Sequence, residues 1–270
     1  MEKTSEEEKI KQEKRLKKKL AIIKNKIIVI SGKGGVGKTT VSVNIAYGLA
    51  LKGYKVGLLD VDIHGPNIAK MLGVEDEKLI GSDLEIEPVS VLPGLKAVSI
   101  AMMLEYRDQP IIWRGPLKMI TIKRFLSDVN WGELDYLIVD SPPGTGDEPL
   151  SVCQLISNID GAIVVTTPQD VAVLDSRKAV NFTRALKVPV VGLIENMSGF
   201  VCPHCKQEIE LFGAGGGERS AADLGVPFLG RIPIEPEIVT SGDTGKPFIH
   251  SRKETQTAKI MDEIIEKITG

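Results

Sequence analysis

The sequence predicts an α/β fold, a mostly parallel sheet with helices on both faces, and three observations carry that expectation. Short, continuous apolar runs of strand length recur along the 270 residues, many separated by segments with helical periodicity. Two of these runs end in an acid: Lys55-Val56-Gly57-Leu58-Leu59-Asp60 and Leu134-Asp135-Tyr136-Leu137-Ile138-Val139-Asp140. A third, Lys26-Ile27-Ile28-Val29-Ile30, runs directly into a glycine-rich stretch and then a helical pattern beginning at Val41. Alternating strands and helices of this kind build one sheet with crossover helices on its two faces.

The glycine-rich stretch is Ser31-Gly32-Lys33-Gly34-Gly35-Val36-Gly37-Lys38-Thr39-Thr40. Its Gly32-x4-Gly37-Lys38-Thr39 spacing between a strand and a helix is that of a P-loop. Gly32, Gly34, Gly35, Val36, Gly37 and Thr40 would lend backbone N–H groups to phosphate oxygens, helped by the positive end of the helix dipole. Lys38 would reach the β- and γ-phosphates of a nucleotide, and Thr39 would ligate Mg²⁺. Lys33 is not required by that cradle and on local chemistry alone reads as a solvated loop charge.

The helix from Val41 to Leu51 stops at Gly53. The strand that follows places the two carboxylates of Asp60-Val61-Asp62 at one strand end. Asp140 is followed by Ser141-Pro142-Pro143-Gly144-Thr145-Gly146-Asp147, the form of a Walker B strand and its switch loop. In that form Asp140 organises the Mg²⁺ shell and Gly144 approaches the γ-phosphate with its backbone. Further strands are predicted at Leu95–Ile100, Gly161–Thr167, Pro189–Glu195 and Pro227–Arg231, and helices near Leu117–Val129, Glu148–Ser157, Val171–Lys187, Arg219–Leu224 and Thr255–Thr269.

Charge is unevenly placed. Residues 1–24 hold nine Lys or Arg against five Glu, a net of +4, which leaves −6 for the remainder of a chain whose total is −2. This predicts a charged, flexible arm over 1–24 and one ATPase domain over 25–270, with a cysteine loop at about 198–217. No global basic field points to nucleic acid, no stretch approaches the roughly 18 apolar residues of a membrane span, and a cytoplasmic protein is expected.

Three cysteines argue against a disulfide framework. Cys202-Pro203-His204-Cys205 has the spacing that lets two thiolates converge on one ion or cluster. Four ligands complete such a site, so a second copy across a two-fold axis is the direct way to supply the other two. Thiolates suit zinc and iron–sulfur clusters alike, and a redox dithiol also has this spacing. His204 reads as an exposed loop residue, and Cys153, within an apolar helix, as a small buried side chain.

With these residues assembled, the chain resembles the deviant Walker A, MinD/ParA-like (SIMIBI) P-loop ATPases through Lys33-Gly34-Gly35-Val36-Gly37-Lys38-Thr39-Thr40. Within that group it resembles the Mrp/ApbC branch of iron–sulfur cluster carriers. The blocks that carry this resemblance are Asp60-Val61-Asp62-Ile63-His64-Gly65-Pro66-Asn67, Trp113-Arg114-Gly115-Pro116, Asp140 to Asp147, and Glu195-Asn196-Met197-Ser198 running into the cysteine pair. They are collinear over residues 27 to about 240. His64 and Asn67 stand where members often carry tyrosine and serine, and the additional four-cysteine segment of some eukaryotic relatives is not in this sequence.

The resemblance implies that Lys33 crosses a dimer interface to the partner's nucleotide, reversing the local reading of that lysine. It implies Asn196 at the adenine and a [4Fe-4S] cluster bridging Cys202 and Cys205 of two subunits. Asp62 is then expected to orient the attacking water, and Lys33, Lys38 and Asp140 to act with it. The implied activity is slow ATP hydrolysis by a homodimer that transfers clusters to apo iron–sulfur acceptor proteins. Two other readings are a MinD/ParA-like positioning ATPase and an ATP-driven electron donor resembling nitrogenase reductase.

Overall fold

The computed structural model describes residues 2–63, 65–82, 85–106, 109, 115–156 and 158–270, with side chains from Glu7 onward. His64, Trp113, Arg114 and the expected helix end at Ser157 lie outside the described residues. In chain order, helix α1 (Glu2–Ala21) leads into β1 (Ile23–Ser31), the P-loop and α2 (Lys38–Leu51). Then come β2 (Val56–Asp60), the one-turn α3 (Ile68–Met71), the short strands β3 (Ile80–Gly81) and β4 (Ile86–Glu87), β5 (Val89–Leu92) and β6 (Leu95–Val98). The middle of the chain holds α4 (Gly115–Ser127), β7 (Leu134–Asp140), α5 (Asp147–Leu155), β8 (Gly161–Thr166) and α6 (Asp170–Ala185). The last part holds β9 (Val190–Val201), β10 (Glu208–Ile209), α7 (Gly216–Leu224), β11 (Phe228–Ile234), α8 (Pro236–Asp243), α9 (Phe248–Ser251) and α10 (Gln256–Thr269).

Nine strands form one sheet in the order β10-β9-β8-β1-β7-β2-β6-β5, with β11 paired to β9. The pairings are parallel except β5 with β6 and β9 with β10. The expected fold class is the one observed. Strands β2 and β8 are buried along their whole length, which is why they read as continuous apolar runs. Alternation along β1 divides the core: Ile27 and Val29 pack with Leu49 and Ile265, whereas Ile28 and Ile30 pack with Phe125 and Trp131 on the other face.

Strand β1 lies between β7 and β8. The chain runs from β1 to β2 on one side, returns to β7, and then crosses to β8 on the other side. The crevice at the carboxyl ends of strands where direction reverses is the ligand-binding position of open α/β sheets. The P-loop, Asp60 and Asp140 all stand at that edge.

The segment expected as a charged arm is helical over Glu2–Ala21 and rests against α4. Leu16 and Leu20, one turn apart, are buried, and the Arg15 guanidinium donates to Asp128 Oδ1 at 3.2 Å. Two leucines at i,i+4 spacing suffice to dock the C-terminal half of this helix, a pattern that the surrounding charge obscures in the sequence. Strand β9 also exceeds its predicted end at Glu195 and continues to Val201.

Leu20→Ala, which empties a buried site, is expected to lower stability by about 2–4 kcal/mol in chemical denaturation. Lys11→Ala, on the exposed face of the same helix, is expected to stay within about 0.5 kcal/mol of the parent.

Candidate functional site

The P-loop turns between β1 and α2 with Gly35 at φ 81° and Gly37 at φ 82°, the left-handed region that glycine occupies without strain. A Cβ on Gly37 would also stand 2.2 Å from Asn196 Nδ2. Asn196, arriving from β9, donates that amide to Val36 O at 2.9 Å and so fixes the loop from outside. Gly32 is required for a different reason: a Cβ there would stand 2.1 Å from the backbone oxygen of Asp175.

Asp140, fully buried at the end of β7, accepts from Thr39 Oγ1 at 2.7 Å on one oxygen and from Ser42 Oγ at 2.6 Å on the other. Lys38 Nζ lies 2.9 Å from the same carboxylate, yet no acceptor meets hydrogen-bond geometry at this buried ammonium. A buried ammonium with an ion-pair contact but no hydrogen bond is a donor that an incoming anion satisfies. The hydroxyl of Thr39 beside a carboxylate is an all-oxygen donor pair of the kind that suits Mg²⁺.

Asp60 stands beside Asp140 in the register of β2 and β7. It accepts from Ser99 Oγ at 3.0 Å and from the backbone N–H of Asp62 at 3.1 Å. Burial, reinforced by the negative charge of Asp140, pushes its carboxyl well above the usual carboxylate range. Asp60 therefore supports the loop after β2, and Asp62 is the acid of this pair that faces the cleft.

The cleft above these groups has a volume of about 720 Å³, within the range of small-ligand sites. The P-loop from Lys33 to Thr40, Asp62 and Asn196 line it, which brings most of the sequence-expected residues together. Gly144 is placed differently: it donates its N–H to Ser31 O at 2.8 Å, and its neighbour Pro143 lines the cleft. Sequence reasoning missed the wall made by Phe212, Ile234, Ile238 and Val239. Its legible signal was position: Ile234 ends β11, a parallel strand whose carboxyl end opens on the same edge.

The cysteines sit in a hairpin between β9 and β10, which pair antiparallel at Val201 with Glu208 and Phe200 with Ile209. Cys202 N–H donates to Gln207 O, and Lys206 N–H to Cys202 O, both at 2.9 Å, closing the turn. Both thiols are free; Cys205 is exposed and Cys202 half-buried. Backbone N–H groups of Cys205 and His204 stabilise the Cys202 thiolate and lower its pKa from the ordinary thiol value. Burial pushes the Cys153 thiol up to about 11, in keeping with a packed side chain. Among the described residues no group of three or more His, Cys, Asp or Glu converges as a metal site. The described residues of one chain offer two thiols at the hairpin.

Glu195, the first residue of the Glu195-Asn196-Met197-Ser198 block, is a buried hub. It accepts from the backbone N–H groups of Gly215, at 2.8 Å, and Gly217, at the start of α7, and its Oε1 lies 3.4 Å from Arg231 Nε on β11. The residue next to it along β9 is Asn196, which holds the P-loop.

The family model described as ParA: NUBPL iron-transfer P-loop NTPase matches residues 22–269. A protein of Methanocaldococcus jannaschii named iron-sulfur cluster carrier protein is 49% identical over 261 residues, which cover 96% of this chain and 90% of the relative. A Pyrococcus horikoshii protein of the same name is 49% identical over 268 residues, with 96% and 90% covered. Among solved structures, a nucleotide-binding protein from Archaeoglobus fulgidus in complex with ADP is 38% identical with a TM-score of 0.76, covering 87% of this chain and 91% of its own. The cell division ATPase MinD of Pyrococcus furiosus shares the fold at 22% identity and a TM-score of 0.67, with 92% and 99% covered.

In the reduced, metal-free protein, Cys202 is expected to be alkylated ahead of Cys153 at neutral pH, with an apparent pKa below that of an ordinary thiol. Site-resolved mass spectrometry after timed iodoacetamide labelling across pH checks this; equal rates at the two cysteines contradict it.

Proposed function

Because the chain belongs to the ParA/NUBPL family of iron-transfer P-loop NTPases, we propose that it is an ATP-dependent iron–sulfur cluster carrier that works as a cytoplasmic homodimer. The observation that carries this reading is the two-thiolate hairpin at the end of β9, the same strand that brings Asn196 to the nucleotide cleft. Two thiolates per chain call for a second chain, and two hairpins across a two-fold axis supply four. Val201, Ile209 and Leu211 beside the cysteines are exposed apolar side chains that such an interface would cover. A [4Fe-4S] cluster so held is cargo, exposed enough to be handed to an apo-acceptor protein.

At the other site, the P-loop amides and Lys38 bind the phosphates of ATP. Thr39 and Asp140 are the residues that would hold Mg²⁺, whose charge offsets that on the phosphates. Lys38 exchanges part of its contact with Asp140 for phosphate oxygen, and Asp62 orients the water that attacks the γ-phosphate. Gly144 follows the γ-phosphate through its hydrogen bond to Ser31. Lys33, half-buried in the cleft lining, makes no ion pair among the described residues; it reaches the partner's nucleotide. Asn196 contacts the adenine with the part of its amide that the P-loop does not use.

The positioning-ATPase reading leaves the cysteine hairpin without a role, and α10, the C-terminal amphipathic helix that such a protein would lay on a membrane, buries Met261, Ile264 and Ile265 in its own core. No described helix is long and apolar enough to cross a membrane. The electron-donor reading, by its resemblance to nitrogenase reductase, would require two well-separated cysteines where this chain pairs Cys202 and Cys205 in one turn.

Anaerobic reconstitution with iron and sulfide should yield about four iron per dimer, lost in Cys202→Ala and Cys205→Ala. Zinc alone, or iron retained without these cysteines, overturns the proposal. Lys38→Ala should retain the cluster but slow its delivery to an apo-acceptor at least tenfold (~1.4 kcal/mol or more). Delivery at the parent rate would show that nucleotide and transfer are uncoupled.

A further inference from the structure

We infer that Phe212 forms the wall against which the bound nucleoside rests, and that through it the occupancy of the cleft is passed to the cysteine hairpin. This rests on the reading of the cleft as a nucleotide site and needs nothing from cluster chemistry.

The cleft is built asymmetrically. Lys33, Lys38, Thr39 and Asp62 line it from the P-loop side, whereas most of its apolar lining comes from the chain beyond Asn196: Met197, Phe212, Ile234, Ile238 and Val239, with Asn196, Glu235 and Asp243 as the polar groups among them. Phe212 leaves 42% of its surface exposed, a large aromatic ring open to a cavity whose far end suits phosphate. A ligand with an anionic tail and a flat π-bearing head matches that division, because stacking on an aromatic side chain accepts any base face.

The same ring belongs to the covalent path of the hairpin. Phe212 follows Ile209 of β10 by three residues and Cys205 by seven. On one side, β10 is held to β9 at Glu208 and Ile209. On the other, the Gly215 and Gly217 N–H groups are fixed by the buried Glu195 carboxylate. Phe212 is the residue between these two anchors that lines the cleft, and Gly213 at φ 82° gives the backbone its turn there. A nucleoside pressing on Phe212 therefore shifts Leu211 and β10, and with them the turn that carries both thiols. The coupling is reciprocal: whatever fixes the thiols changes nucleotide affinity by the same factor.

The test uses the full chain, reduced and metal-free, with Cys153→Ala so that Cys202 and Cys205 are its thiols. ADP with Mg²⁺ is the probe, its affinity is read by calorimetry, and thiol reactivity is read with an aromatic disulfide reagent. Saturating ADP should slow the thiol reaction about threefold or more, corresponding to ~0.65 kcal/mol or more if it reflects protection. Phe212→Ala should weaken ADP binding about tenfold or more and lose the thiol effect even at saturation, whereas Phe212→Tyr keeps both. Unchanged melting temperatures establish that the variants are folded, as the exposure of Phe212 leads one to expect. Parent-like ADP affinity in Phe212→Ala, or thiol protection that survives in it, overturns the inference, as does an ADP-insensitive thiol rate in the parent. Cysteines that hold no iron would sink the carrier reading and leave this one standing; a parent chain that binds no ADP would sink the cleft itself.

Discussion

The buried Asp140 carboxylate is the constraint on which the rest of the site depends. It lies at the end of a strand flanked on both sides, and it collects Thr39, Ser42 and the Lys38 ammonium from the first two turns of α2. An isolated carboxylate in that position would be strongly disfavoured, so the helix that supplies its partners is held in place by the strand that needs them. Breaking one side of such an arrangement typically costs about 3–5 kcal/mol, because the other charge is left uncompensated. The P-loop, spanning β1 and α2, inherits its position from this bond set.

A second constraint acts from the opposite side. Strand β9 runs from the sheet core through Glu195 and Asn196, shifts register against β11 between Asn196 and Phe200, where Met197 has φ 57°, and continues to the cysteine hairpin. Asn196 fixes the P-loop at Val36, while Glu195 fixes the start of α7 and approaches β11. One strand thus organises both candidate sites, and the chain that returns from the hairpin brings Phe212 back to the cleft. Two routes, along β9 and through β10, join the nucleotide end of the molecule to the thiols.

Much of this was legible in the sequence because the chemistry is local. A phosphate cradle needs its glycines and lysine at fixed separations, and a two-thiolate turn needs its cysteines three apart, so both were readable without a fold. Buried parallel strands announced themselves as unbroken apolar runs. What escaped notice was non-local. The docking of α1 depends on Leu16 and Leu20 meeting a surface that exists only after α4 is placed. The N–H of Gly144 is held by Ser31 O, a partner more than a hundred residues away that no local pattern announces.

By itself, then, the sequence determined the α/β class, the loop that suits phosphate, the acids at two strand ends and the paired thiols, since each depends on neighbours within a few positions. Tertiary structure alone decided which acid faces the cleft and which is buried with its pKa raised, and it decided that Asn196 braces the loop. It also decided that Phe212, in the loop after β10, completes the apolar wall. These depend on strand order and register, which bring distant residues within a few ångströms and which periodicity along a chain does not encode.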